Sequence, residues 1–345
     1  MAFKVTLRPS GHEYTAESGQ SLLQAGLSAG LFMPYSCRSG VCRTCLGVVR
    51  EGKVDYGAVH PTYLPDSDKQ KGCALLCQAT ALSDLVIELR ELEGLAGVVP
   101  GKVPCRVVRI DRPAPDVAIV DLKLPMNENM MFIAGQHLDL LFEDGRRRSY
   151  SIACAPQAEG ISRVELHIRH TRGGYFTDKL FGGEVQERKV MRFEGPLGSF
   201  SLREKSDKPI VFVASGTGFA PIKAMLEHAF RRGLRRPMTL YWGCRAKRDL
   251  YMLDLPQKWA AEHAHFAFVP VLSEPAPQDE WSGRVGFVHR AVMEDFPDLS
   301  GHQVYACGAP VMVDAARADF IGKRGLPADE FYADAFLTEA ERSVA

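Results

Sequence analysis

Three absences bound the reading of this 345-residue chain before any motif is considered. There is no stretch of about 18 consecutive apolar residues, the length a membrane-crossing helix needs, so no transmembrane helix is expected. There is no excess of either charge. The 42 Lys and Arg balance the 42 Asp and Glu, with a pI near 7.1, which argues against nucleic acid or a membrane surface as a partner. The opening Met1-Ala-Phe-Lys-Val5 alternates like a strand and lacks the apolar core of a signal peptide. Nine cysteines without such a leader fit a reducing compartment, with thiols kept for ligation or as buried apolar residues, and a cytoplasmic location is expected. What is present is length enough for two or three domains and 46% apolar residues, enough for a core in each.

The most informative stretch is Pro34-Tyr-Ser-Cys37-Arg-Ser-Gly-Val-Cys42-Arg-Thr-Cys45, closed by Cys77. C-x4-C-x2-C followed by a distant fourth Cys is the plant-type [2Fe–2S] spacing, with Cys37, Cys42, Cys45 and Cys77 as metal ligands. Each iron needs two thiolates beside its bridging sulfides. Three of them come from one short loop only if its backbone turns tightly, which Gly40 permits. Amides along the loop can then face the cluster's negative charge. Zinc and inert thiols are the other readings. Structural zinc usually takes two close ligand pairs, and here one C-x2-C has no second. Cys73, four residues before Cys77, is a competing ligand.

This stretch resembles the plant-type ferredoxins from Phe3 to about Leu92. The position after the second loop Cys is commonly Gly or Ala in that family and is Arg43 here. With Arg38 it brings positive charge toward the cluster, and a raised reduction potential is expected. Strands at Phe3–Leu7, Glu13–Ala16, Leu46–Arg50 and, closing the sheet, Ser83–Arg90, with a helix capped by Ser21, suggest a β-grasp domain over 1–93. Residues 94–101, rich in Gly, read as a linker.

From Lys102 the chain is strand-rich, and short alternating strands at Val103–Ile110, Val117–Leu124, His137–Phe142, Arg147–Ala153 and Arg163–Arg169 predict an antiparallel barrel over 102–203. Arg148-Ser149-Tyr150-Ser151 ends one strand: an Arg can pair with a pyrophosphate, a Tyr can stack on a flat ring, and a Ser hydroxyl can bond a ring nitrogen. Gly173-Gly174-Tyr175-Phe176-Thr177 opens a helix, whose bare amides suit phosphate. Gly195-Pro-Leu-Gly-Ser-Phe200 reads as a tight turn closing the barrel. The ordered set is similar to the ferredoxin–NADP reductase superfamily. The resemblance implies FAD, with Arg148 on the pyrophosphate, Tyr150 on the isoalloxazine and Ser151 facing N5. His167, Ile168 and Arg169 would line the flavin, partly through backbone, and Gly173, Gly174 and Thr177 would hold the pyrophosphate. FMN is the alternative, which a diphosphate site disfavours.

Beyond Lys208 the pattern changes to a strand–helix repeat, which predicts an open parallel sheet over 204–345, with ligands at the carboxyl ends of the strands. Gly216-Thr217-Gly218 lies at one such end, with Pro221 where a full G-x-G-x-x-G has its third Gly. Cys307-Gly308-Ala309-Pro310 lies at another. The same superfamily pairs these motifs, so Gly216, Thr217, Gly218 and Pro221 are expected near a nicotinamide dinucleotide's pyrophosphate and Cys307 and Gly308 beside the nicotinamide. Arg245, Lys247 and Arg248 are either a 2′-phosphate site or a solvated turn. The resemblance implies NADH as the donor, with NADPH not excluded. It also implies a terminal segment near the flavin face that receives nicotinamide, with Phe336 as its gate.

The fold class is therefore multidomain α+β and α/β: a β-grasp ferredoxin domain, an antiparallel β-barrel FAD domain and an open parallel-sheet nucleotide-binding domain. Over the full length the chain resembles NAD(P)H-dependent iron–sulfur flavoprotein reductases. A nicotinamide gives two electrons and a cluster takes one, so a flavin must stand between them. Ser151, Cys307 and Phe336 are the residues expected at the reacting centre. The resemblance implies an acceptor protein: an aromatic-ring oxygenase component, with a deoxysugar dehydrase as alternative. A monomer suits such a carrier. An iron–sulfur redox sensor is the reading from another class, and no DNA-binding segment supports it.

Overall fold

The computed structural model describes residues 1–91 and 100–336, so most of the expected linker at 94–101 and the chain beyond Phe336 lie outside the described residues. The described residues form two compact units, 1–91 with Gly198–Phe200, and 100–197 with Ser201–Phe336. No helix among them is long and apolar enough to cross a membrane.

In the first unit, strands β1 (Ala2–Arg8), β2 (Glu13–Glu17), β3 (Leu46–Glu51), β5 (Cys73–Leu75) and β7 (Leu85–Glu88) form one sheet in the order β2-β1-β7-β3-β5, while β4 (Val54–Asp55) pairs with β6 (Thr80–Ala81). Helices α1 (Leu22–Ser28) and α2 (Asp66–Gln70) complete the unit. Val5 and Leu7 of β1 point into the core and the flanking Lys4 and Arg8 point out, the period of a half-buried strand. Ser21 caps α1, its hydroxyl accepting the Gln24 N–H at 3.2 Å. The last strand completes the sheet from its middle rather than its edge, because β7 runs parallel to β1 and antiparallel to β3.

The second unit begins with a six-stranded antiparallel barrel: β8 (Gly101–Ala114), β9 (Val117–Lys123), β10 (His137–Leu141), β11 (Arg147–Ser151), β12 (Arg163–Arg169) and β13 (Val190–Leu197), with α3 (Tyr175–Phe181) between the last two. The order is β11-β10-β13-β8-β9-β12. The ring closes where Ile152 bridges Leu166 and the Ala153 N–H donates to the Glu165 carbonyl at 2.8 Å. The expected turn at Gly195–Phe200 needs correction. Gly195 to Leu197 are the end of β13, and Gly195 pairs with Gly101. The glycine serves packing, since a Cβ there would stand 2.9 Å from that of Leu138.

The rest of this unit is a parallel sheet of β14 (Ile210–Ser215), β15 (Met238–Cys244), β16 (Phe266–Leu272), β17 (Arg284–Val285), β18 (Gln303–Gly308) and β19 (Phe331–Ala335), with α4 (Phe219–Arg231), α5 (Asp254–Glu262), α6 (Val288–Asp295) and α7 (Pro310–Arg324). Its order is β17-β16-β15-β14-β18-β19. The chain steps outward from β14 to β17 and then returns to β18 on the other side of β14. That reversal makes the crevice between β14 and β18 the switch point where such sheets bind ligands. Arg284 and Val285 extend the sheet beside β16, and α6 follows from Val288.

Gly218 is what lets the two strand ends at the switch point meet. A Cβ there would overlap the Cys307 carbonyl and stand 2.8 Å from the Gly308 Cα. Gly218→Ala is expected to force these loops apart at a cost of about 1–3 kcal/mol. The measurement is a thermal midpoint, and an unchanged midpoint would contradict the packing.

Candidate functional site

The cluster loop bends through three left-handed residues, Arg38 (φ 53°), Gly40 (φ 82°) and Arg43 (φ 61°). These bends turn the Ser39 and Cys42 amides onto the Cys37 sulfur, each at 3.4 Å. The four cysteines meet in two pairs, Cys37 with Cys42 and Cys45 with Cys77. Donation from the Cys42 thiol, then from Ser39, pushes Cys37 down to about 5, and donation from Cys45 lowers Cys77. Cys42 and Cys45, the donors, titrate well above the ordinary thiol range. No three of the described His, Cys, Asp or Glu side chains converge on one point as a single-ion site requires. Two and two is what a binuclear cluster asks, since bridging sulfide completes each iron. The donor set fits [2Fe–2S], and Cys73, on β5 opposite Val48, is outside both pairs.

In the barrel, Arg148 and the start of α3 come together: its guanidinium lies 5.8 Å from the Tyr175 ring, which also carries Arg146 at 4.3 Å and Lys179 at 4.4 Å. Tyr150 packs on Phe176. The Ser151 hydroxyl is buried without a partner, a costly state for a polar atom unless a bound group supplies one. A flavin ring nitrogen would do so, and in this respect the residues fit FAD. Two expectations are narrowed. The Ser149 hydroxyl bonds Asp139 at 2.6 Å, and the Thr177 hydroxyl donates to the Thr171 carbonyl at 2.8 Å, shaping the turn around Gly173 and Gly174.

At the switch point, Gly216, Thr217 and Gly218 form a single 3-10 turn between β14 and α4, and Pro221 sits in the first turn of α4. The Ser215 hydroxyl accepts the Ala309 N–H at 2.9 Å, the Trp242 indole donates to the Gly216 carbonyl at 3.0 Å, and Phe336 donates its N–H to the Gly308 carbonyl at 2.8 Å. Cys307 is fully buried, and burial pushes its thiol well above the ordinary range, so it stays protonated. Of the three expected cations, Lys247 bonds the Asp279 carbonyl and Arg248 faces Asp249, while Arg245 is exposed.

Comparison with known proteins agrees with this geometry. Three family models match in order: a 2Fe-2S iron–sulfur cluster binding domain over residues 5–82, an oxidoreductase FAD-binding domain over 104–202 and an oxidoreductase NAD-binding domain over 212–318. The CDP-6-deoxy-L-threo-D-glycero-4-hexulose-3-dehydrase reductase of Yersinia pseudotuberculosis is 39% identical, covering 98% of this chain and 99% of its own. Reductase component 1 of terephthalate 1,2-dioxygenase from Comamonas sp. is 33% identical, covering 98% of each. The crystal structure of the Amycolatopsis cytochrome P450 reductase GcoB superposes with a TM-score of 0.76 at 34% identity, over 97% of this chain and 98% of that one. The chain belongs to the iron–sulfur flavoprotein reductases. It is an NAD(P)H-dependent oxidoreductase with [2Fe–2S], FAD and NAD domains.

The reductase also holds a polar chain that the motifs did not reveal. His167 does not turn its ring outward: its Nδ1 is 2.7 Å from the Tyr251 hydroxyl and its Nε2 is 3.0 Å from Glu165. Ile168 is core, and Arg169 bonds Asp116 at 2.8 Å. Glu165 also pairs with Lys223 at 3.1 Å, and Lys223 with Glu227 at 2.8 Å and the Ala153 carbonyl at 3.0 Å. Burial would raise the Glu165 carboxyl, but the His167 hydrogen bond and the Lys223 charge hold it at about 2. Burial also lowers His167 and keeps it neutral. The missed signal was Lys223 itself, a charge on the apolar face of α4 beside Phe219, Ile222 and Leu226.

Arg43 is less free to act on the cluster than its sequence position suggests. Its guanidinium binds Asp68 at 2.7 Å and the Tyr63 carbonyl at 3.0 Å. Its backbone occupies the left-handed region, which explains why Gly is common there. Arg43→Gly removes the cation and leaves the Asp68 carboxylate, so the reduction potential is expected to fall in a redox titration, and a rise would refute this. The Glu165 carboxyl is depressed from its ordinary 4.5 to about 2, so its stabilisation is complete above 4.5 and fades as pH falls toward 2. Neutral His167, lowered from 6.5, adds a loss of the same sign that begins near that pH. The difference in thermal midpoint between the native reductase and Glu165→Gln should therefore shrink on acidification, and a widening gap would contradict the assignment.

Proposed function

We propose that this reductase takes electrons from NADH and passes them to the oxygenase component of an aromatic-ring oxygenase, working as a cytoplasmic monomer. The observation that carries the outward step is the half-buried state of Cys37, Arg38, Ser39 and Cys77, which leaves one side of the cluster loop within reach of a partner. The terephthalate 1,2-dioxygenase reductase component, named for an oxygenase system, supports this class of acceptor. The higher identity to the dehydrase reductase favours a second reading, a deoxysugar dehydrase.

FAD bound here would supply the conversion between a two-electron donor and a one-electron acceptor. The chain's part is to bind and orient. Residues 1–93 would hold the cluster through the four cysteines, 102–203 the flavin and 204–345 the nicotinamide dinucleotide, joined by the linker at 94–101. Arg148 and the first amides of α3 take the FAD pyrophosphate, Tyr150 flanks the ring and Ser151 offers its hydroxyl to the reactive edge. Gly216 to Gly218, with Pro221 behind them, admit the NADH pyrophosphate. Cys307, kept neutral, and Gly308 flank the nicotinamide, and Phe336 covers its place until NADH arrives.

Electron delivery is tested by coupling NADH oxidation to product formation with a purified aromatic-ring oxygenase component and, separately, with a deoxysugar dehydrase. Product formed only with the dehydrase would replace the first reading with the second. Because Lys247 and Arg248 already face acidic partners or backbone, kcat/KM for NADH is expected to exceed that for NADPH. The opposite ratio would make Arg245 and its neighbours a 2′-phosphate site.

A further inference from the structure

The buried polar chain between barrel and sheet is directional, and every member is satisfied. One oxygen of the ionised Glu165 receives both the Lys223 ammonium and His167 Nε2, so Nε2 carries the imidazole proton. Nδ1 then holds the lone pair and accepts the Tyr251 O–H at 2.7 Å. Lys223 uses all three of its N–H groups, on Glu165, Glu227 and the Ala153 carbonyl. His167 has no exposed side-chain surface and Lys223 only 7%.

Both ends of this chain lead to the redox site. On the barrel side, Glu165 and His167 belong to β12, and Ala153 lies two residues beyond Ser151. On the other side, the Tyr251 ring meets Trp242 edge-on at 5.3 Å, and the Trp242 indole holds the Gly216 carbonyl. Phe219, the first residue of α4, stacks on Trp242 at 4.1 Å. Arg169, also from β12, reaches to 2.8 Å from where a Gly216 Cβ would stand. Apolar surfaces tolerate a small slide past one another, whereas a hydrogen-bonded buried ion pair does not, because any displacement leaves a charge without its partner.

We propose that Tyr251, His167, Glu165 and Lys223 act as positioning residues that set the distance between the Gly216–Gly218 loop and the flavin-binding face of the barrel. This rests on the reading that Ser151 faces flavin and that the Gly216 loop holds NADH. Hydride passage depends steeply on approach: a misplacement of about 1 Å can lower a rate on the order of a hundredfold.

The test uses the full chain with its cofactors and two variants, Tyr251→Phe, which keeps the ring and removes only the hydroxyl, and Lys223→Met. Each is measured for flavin content, for NADH dissociation constant in flavin-free protein, for the rate of flavin bleaching at saturating NADH, and for amide exchange at Gly216–Phe219. The expected result is retained flavin, NADH affinity within about twofold, a saturating rate lowered roughly tenfold and faster exchange in the loop. A lowered thermal midpoint with unchanged rate and loop exchange would reduce the chain to a stabilising contact and overturn the proposal. If Tyr251→Phe fails to fold, Glu165→Gln carries the same measurements and the same criteria. Failure of the underlying reading shows separately, as Ser151→Ala with unchanged bleaching by NADH.

Discussion

A carboxylate kept ionised in a largely buried seam, that of Glu165 with 21% of its side chain exposed, is the constraint on which the larger unit depends. Removing charge from water is costly, so every neighbour must repay it: a lysine from the sheet side and a neutral imidazole from the same strand. The interface therefore has one geometry in which its charges are satisfied. The switch point between β14 and β18 adds a second demand, a backbone contact that only glycine at 218 allows. Together they place a loop suited to a dinucleotide and a barrel face with an unsatisfied hydroxyl within one compact unit.

The smaller unit solves a different problem, gathering four sulfurs that repel one another when ionised. Left-handed bends at Arg38, Gly40 and Arg43 wrap three of them on one loop, and amide donors offset the charge of Cys37. The fourth arrives on the segment after β5, held where the Leu76 N–H donates to the Cys45 carbonyl and Gln78 reaches the Arg38 carbonyl. Arg43 joins this scaffold through Asp68, tying α2 to the cluster loop.

Legibility in the sequence followed how local each signal is. The three-cysteine loop is short and carries its own chemistry, so it read directly, whereas the R-x-Y-S end of β11 and the G-T-G turn took meaning only from the ordered set of motifs around them. The strand Val190–Leu197 did not, because Gly-Pro-Leu-Gly looks like a turn until Gly195 is seen packed on Leu138. The strand Arg284–Val285 is two residues long, too short for alternation to show. The ion chain was invisible for a stronger reason: Glu165, His167, Lys223 and Tyr251 are scattered over nearly ninety positions and gain meaning only when barrel and sheet meet. Side-chain commitment was hidden too, as the hydroxyls of Ser149 and Thr177 show.

The outermost strand beside β16 is only two residues long, and its exposed Val285 is followed at once by Gly286 and the turn into α6. An unpaired strand border normally invites another polypeptide to continue the hydrogen-bond ladder. Here such a visitor would find almost no rungs to bind. Growth of the sheet by one copy of the chain upon another is thereby disfavoured along this border.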